Sequence, residues 1–205
     1  MFRMLVRSAR TLGLAASAGL LLAGCPCLPG TNFVYFPDSS LESAVRASIN
    51  QPFGCLLAGA LQGARTVEAS GLAISNLEGL ENCTNLTDLD LSNNSVKNIG
   101  ALTNLQNIVS LDLSNNQITR IDALSGLFFL RYLDLSGADN DIRDFSALAA
   151  NALNGGLGDG AVVTLSPEWT VNTDGEFFTD FADDYNALIN AGVTVVFAEP
   201  DSGTK

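Results

Sequence analysis

Apolar positions recur along the middle of the chain at a fixed distance. Leu86, Leu89 and Leu91 precede Asn94; Ile108, Leu111 and Leu113 precede Asn116; Leu130, Leu133 and Leu135 repeat the order. Leu89, Leu111 and Leu133 stand 22 residues apart. Behind each triplet come apolar residues about three apart: Val96, Ile99, Leu102 and Leu105, then Ile118, Ile121, Leu124 and Leu127. One period before Leu89 lies Val67, with Ala69, Ile74, Leu77 and Leu80 as degenerate counterparts, so a first unit starts near Ala64. The unit opened by Leu130 carries two extra residues, because Asn140, Ile142, Phe145 and Leu148 match only after a shift of two. A bulge is predicted at Gly137, Ala138 and Asp139.

Each element follows from this spacing. Alternation in Leu-x-Leu puts both leucines on the inner face of a short strand and the residue between them outside. The later Ile, Leu and Leu return the chain along the opposite side as turns or short 3₁₀ segments. One unit has nothing to bury its leucines against, so successive units must stack and their parallel strands pair. Asn94 and Asn116 fall where the strand turns away, suited to bonding exposed backbone groups of neighbouring turns. A fixed period with the pattern L-x-x-L-x-L-x-x-N is the signature of a leucine-rich-repeat solenoid. The fold class expected is α/β: a short, curved, right-handed horseshoe with a parallel sheet on its concave face.

The ends of such a stack need covers. Ser39 and Glu42 have capping-box spacing, and Leu41, Ala44, Val45, Ser48 and Ile49 share one helical face, predicting a capping helix from about Ser40 to Asn50. Toward the C-terminus, Val163 and Val195 are the strand equivalents, 30 and 32 residues beyond their predecessors. Between them Phe177, Phe181, Tyr185, Leu188 and Ile189 form the apolar face of a helix stopped by Gly192, and Val193–Phe197 reads as a closing strand. The glycine-rich run from Gly155 to Gly160 reads as a turn.

The first residues follow a different logic. A basic head with Arg3, Arg7 and Arg10 precedes an apolar run from Leu12 to Leu22, too short to span a bilayer, which reads as a secretory signal. Leu22, Ala23, Gly24 and Cys25 resemble the lipobox of bacterial lipoproteins, which implies cleavage before Cys25, lipidation of its thiol and a membrane anchor at the new N-terminus. The resulting layout is a signal at 1–24, a tether at 25–36, an N-terminal cap at 37–63, repeats at 64–150, an atypical repeat and cap at 151–198, and a tail at 199–205. Pro26, where Asp would act as a retention signal in enteric bacteria, favours an outer membrane or cell surface.

Removal of residues 1–24 leaves seven basic residues against 22 acidic ones. Such a surface repels nucleic acid and anionic headgroups, so contact with the membrane is expected through the N-terminal lipid alone. Export permits a disulfide among Cys27, Cys55 and Cys83, but the sequence does not assign a pair. Cys83 sits where later repeats have Leu105 and Leu127, so its default role is a small buried apolar side chain, a Cys55–Cys83 bridge being the minority option.

Chemistry is poorly provided for. There is no His, the commonest general base and metal ligand. Nor is there a phosphate loop with a Lys, or a Ser flanked as in hydrolases. No enzyme, cofactor or metal site is expected. The constellation that stands out is the outward column Glu68, Asp90, Asp112 and Asp134, continued by Thr164 and flanked by Asp88, Ser110 and Tyr132 and by Ser92, Ser114 and Ser136. Carboxylates on adjacent strands about 4.8 Å apart raise one another's pKa and create a negative potential.

Phe36-Pro37-Asp38, then Leu41 to Arg46, Val67 to Ile74, the repeats, and the closing Gly156–Gly160 and Ala191–Val195 resemble bacterial extracellular leucine-rich-repeat proteins, including internalin-like domains. The resemblance implies a binding protein of the cell envelope. With about four regular units the horseshoe is shorter than in adhesive internalins. The partner expected is a protein or peptide, a basic one fitting the charge, contacted by Asp90, Asp112, Asp134 and Tyr132 with Glu68 and Asp88 flanking. The alternatives are a structural envelope lipoprotein without a discrete ligand and a Ca²⁺-dependent adhesion module.

Overall fold

The computed structural model describes residues 32–166 and 179–198, with the side chains of 179 and 180 left aside. The signal, Cys25, Cys27, Phe177 and the tail lie outside the described residues.

The strand residues of every unit stack in one six-stranded parallel sheet, in sequence order. The strands are β1 (Thr66–Glu68), β2 (Asp88–Asp90), β3 (Ser110–Asp112), β4 (Tyr132–Asp134), β5 (Val162–Leu165) and β6 (Thr194–Phe197). The register is the one the leucines predict: Val67, Leu89, Leu111, Leu133, Val163 and Val195 lie side by side across the sheet. All but Val195 are buried, within a core shared by the returning residues Ile74, Val96, Ile118 and Ile142. Burying each such aliphatic side chain stabilises by roughly 1.5–3 kcal/mol, an amount available only because the next repeat supplies the other wall.

The returns behind β1, β2 and β3 are 3₁₀ turns at Leu80–Asn82, Gly100–Asn104 and Asp122–Gly126. Just beyond each of β1 to β4 one residue takes a left-handed conformation, and the chain supplies Gly71, Asn93, Asn115 and Gly137 there, residues that tolerate positive φ. At Gly137 nothing larger fits, because an added Cβ would lie 2.6 Å from the backbone nitrogen of Asn115. Asn94, Asn116 and Asn140 are buried behind these turns and form the expected ladder. Asn116 receives the Val96 N–H at 3.0 Å and donates to the carbonyls of Leu91, Leu113 and Ser114. No buried side-chain N or O among the described residues lacks a partner.

The N-terminal cap differs from expectation in one detail. Helix α1 spans Ser39–Ser48, and its N-cap is Asp38, whose Oδ1 accepts from the N–H groups of Ser40 and Leu41. Glu42 does not close a capping box with Ser39; it pairs with Arg46 one turn on, at 2.8 Å. A carboxylate one residue earlier is the stronger anchor because its Oδ2 also receives the Ser75 N–H, tying the cap to the first repeat. Phe33 bridges Leu57 in antiparallel fashion and Phe36 is buried, so the described end of the tether segment packs on the cap. A short helix, α2 (Ala58–Leu61), leads into β1. Cys55 is disulfide-bonded, whereas Cys83 is buried and free, which rules out a Cys55–Cys83 bridge. Burial pushes the Cys83 thiol up to about 12, with Glu81 adding to the effect.

The fourth unit returns through a true helix, α3 (Ser146–Leu153), a change that the pattern Phe145, Leu148 did not reveal. Helix α4 (Thr179–Asn190) follows β5 and ends at Gly192, φ +82°. Its Phe181 meets Phe145 edge-on at 5.3 Å and stacks on Tyr185, closing the end of the core. Ile189, expected on the inner face of α4, is exposed. The inner face is formed by Phe181 and Leu188, with Tyr185 partly buried against the core.

Candidate functional site

The strand register carries the outward residues with it. Glu68, Asp90, Asp112 and Asp134 are direct neighbours across β1 to β4, and Thr164 continues the row on β5. Thr66, Asp88, Ser110 and Tyr132 form the parallel column. All six candidate contact residues therefore lie on one face, around a shallow depression of about 500 Å³ whose lining includes Glu68, Asp88, Asp90, Asp112 and Tyr132. Asp134 sits at its margin, where its Oδ2 receives the Tyr132 hydroxyl at 3.4 Å.

Each aspartate of the row also has a structural task that the column alone does not disclose. Asp90 Oδ1 accepts from the N–H and hydroxyl of Ser92 at 2.9 and 2.7 Å. Asp112 does the same with Ser114 and Asp134 with Ser136. The signal was present in the thrice-repeated Asp-Leu-Ser triplet, a spacing at which a short acidic side chain folds back on the backbone two residues on. One carboxylate oxygen thus holds the strand end. The other oxygen of Asp90 and of Asp112 has no protein partner among the described residues.

Partial burial pushes the carboxyl of Asp112 above the usual range, the bonds from Ser114 oppose this, and its neighbours Asp134 and Asp90 add to it. Tyr132 is raised as well, by burial and then by Asp134 and Asp112. In both cases burial is the largest cause, and the negative charges on adjacent strands add to it. The basic side chains near this face are engaged elsewhere: Arg65 donates to the Asn85 carbonyl and Arg131 to that of Gly156.

Nothing in the arrangement resembles a catalytic constellation. Among the described residues no three Asp, Glu, Cys or His side chains come together as a metal ion needs. No helix among them is long and apolar enough to cross a membrane. Exposed apolar side chains include Phe128 and Phe129 before β4, Phe33, Tyr35, Phe53 and Leu57 on the N-terminal cap, Leu153 at the end of α3, and Ile189, Val196 and Phe197 at the C-terminal end of the sheet.

Comparison with known proteins agrees with this geometry. Residues 84–142 match the family model described as leucine rich repeat. Among solved structures, an internalin (inlF) from Listeria monocytogenes is 26% identical, with a TM-score of 0.56, covering 64% of this chain and 44% of that one. InlJ from the same organism, described as including a cysteine ladder, is 18% identical at a TM-score of 0.50, covering 64% and 36%. This chain thus spans less than half the length of either. No curated protein matches it in sequence. The chain contains a leucine-rich-repeat domain, structurally similar to Listeria internalins.

Proposed function

We propose that this is an exported bacterial envelope protein, anchored through lipid on Cys25, whose strand face binds a protein or peptide with a basic segment. Leucine-rich-repeat domains are typically protein-binding, and the internalin likeness favours a surface setting. The observation that carries the reading is the unbroken row Glu68, Asp90, Asp112 and Asp134, four carboxylates on adjacent strands with no cation among them. Asp88 and Tyr132 flank the row, and Tyr132 adds an exposed ring at one end. A Lys- or Arg-bearing segment laid across the strands would relieve the mutual repulsion, which makes binding favourable and salt-dependent.

The reading implies no reaction. Ca²⁺ fits less well, since one oxygen of each aspartate is already occupied by its Ser partner and hard cations take six to eight oxygen ligands.

The test uses a partner captured by crosslinking on intact cells. Titration against the native protein and against a variant with Asp90, Asp112 and Asp134 all changed to Asn, at low and physiological salt, should show weaker binding by the variant and most of the salt dependence gone. Equal affinity of both proteins at both salt levels would refute the role of the row.

A further inference from the structure

The N-terminal cap carries an apolar face for which the fold has no use. Phe33 and Leu57 are cross-strand neighbours: Val34 N–H donates to the Leu56 carbonyl and Ala58 N–H to that of Asn32, which leaves the pair between the bonds with side chains close together. Tyr35, two residues on, shares the outer side, while Leu56 and Phe36 point into the core. Phe33 and Leu57 are each 42% exposed, Tyr35 69%, and Phe53, in the turn before Cys55, 84%.

In the chain this face lies close to Cys25. The described chain begins at Asn32, seven residues beyond Cys25, a span of at most about 25 Å. Cys55, two residues from both Phe53 and Leu57, is disulfide-bonded. Cys83 is free, so with lipid on the sulfur of Cys25, as proposed above, Cys27 is the cysteine left to pair with Cys55. Closing that bond removes two protons and two electrons from the thiols. A disulfide-bearing oxidant of the export compartment accepts them and leaves as a dithiol. Only Pro26 then separates the lipidated residue from one covalently fixed beside the apolar face.

We infer that the cap is a membrane-seated surface, with Phe33, Tyr35, Phe53 and Leu57 resting in the headgroup boundary of the bilayer that holds the lipid of Cys25. This rests on the lipid-anchor reading above. Charge agrees with it: from Asn32 to Gly63 the chain bears Asp38 and Glu42 against Arg46, whereas the acidic excess lies in the repeats and in the C-terminal segment beyond them. An anionic surface therefore repels the cap least. Aromatic rings with an apolar body suit that boundary. Seated in this way, the solenoid would hold its strand face at a fixed angle to the bilayer.

The experiment takes the full chain, exported and processed in a bacterial host, into vesicles of phosphatidylcholine with a minority of phosphatidylglycerol and a photoactivatable phosphatidylcholine. Flotation reports the anchor, and mapping of labelled peptides, without reduction, reports the seated face and the Cys27–Cys55 link. Label should fall on the peptides bearing residues 33–35 and 53–57, and fall about tenfold in Tyr35→Ser/Phe53→Ser, both exposed changes, with flotation and circular dichroism unchanged. Cys55→Ser should lower it by a smaller factor. Flotation with label confined to the lipidated N-terminal peptide, or centred on Phe128 and Phe129, would overturn the inference and leave the anchor standing. A Cys25–Cys55 link or failure to float would remove the anchor and this inference with it.

Discussion

The central repeats and the C-terminal unit build one sheet by two different means. From β1 to β4 every crossing takes 22 residues and returns through a 3₁₀ turn, with a buried Asn behind the strand in the crossings after β2 and β3, a feature that Asn140 continues after β4. From β4 to β5 the crossing takes 30 residues from Leu133 to Val163 and returns through α3, yet the strand register continues without slip. Even the bonding positions are kept with substituted atoms. Gly71, Asn93 and Asn115 donate their N–H to the backbone carbonyls of Ser92, Ser114 and Ser136, whereas Gly137 donates to the side-chain hydroxyl of Ser166 at 2.8 Å. The ladder of Asn94, Asn116 and Asn140 is succeeded by Asn151, which donates to the Leu124 carbonyl and receives the Leu157 N–H. What the fold requires is therefore the strand and a satisfied turn behind it; the return path is exchangeable.

The largest effect should come from breaking the part both regions share. Leu111→Asp would bury an unpaired carboxylate between two repeats, whereas Asp112→Asn keeps the acceptor for Ser114 and removes a charge that the folded state disfavours. The first is expected to abolish cooperative unfolding, a cost of several kcal/mol, and the second to hold or slightly raise stability at neutral pH. Thermal unfolding followed by circular dichroism checks both. Equal tolerance would mean that the strand register is wrong.

Next come the two asparagines. Asn116→Ala strands the Val96 N–H and takes one of two donors from each of the Leu91, Leu113 and Ser114 carbonyls, whereas Asn151→Ala strands the Leu157 N–H and takes one donor from the Leu124 carbonyl, so losses of about 3 and about 2 kcal/mol are expected by urea titration. If Asn151 proved the costlier site, the C-terminal turn would be more than a stand-in for the ladder. A smaller loss, roughly 1–3 kcal/mol, is expected of Gly156→Ala, whose added methyl would run into Asn151 and Phe128. Gly126→Ala, where a Cβ meets nothing, is the control.

Much of this was legible in the leucines. Their spacing identified the strands, the register, the four-carboxylate row and the Asn ladder, because a period repeated three times leaves one way to stack. The signal failed where the period failed. Nothing in Phe145 and Leu148 separates a 3₁₀ return from α3, since both bury residues three apart. At the cap, Ser39 and Glu42 matched a known spacing, but Asp38 prevailed through a bond to Ser75, 37 residues away, which local sequence cannot display. The row itself was readable, but its Asp-to-Ser bonds were overlooked.

The cap gives the smallest and most easily dosed effect. Burial opposes the charge of Asp38, but the N–H groups of Ser75, Leu41, Asn76 and Ser40 outweigh it and hold the carboxyl below its ordinary value. A depressed folded pKa adds stability above the unfolded pKa of about 3.9, and that stability is lost as the pH falls through the folded value. Asp38→Asn should lower stability slightly at pH 7 and flatten the acid limb of the stability curve, measured by urea titration across pH. An unchanged acid limb would place the link between cap and repeats elsewhere.

The account's central claim is that the strand face, and not the return side, meets the partner. A photoactivatable residue placed at Ser110 on β3, compared on intact cells with one at the exposed Thr103 on the opposite side, tests it most directly. The account predicts a discrete adduct from position 110 that disappears when Asp90, Asp112 and Asp134 become Asn, and none from position 103. Adducts from position 103 alone, or an adduct at 110 indifferent to the three substitutions, would contradict it.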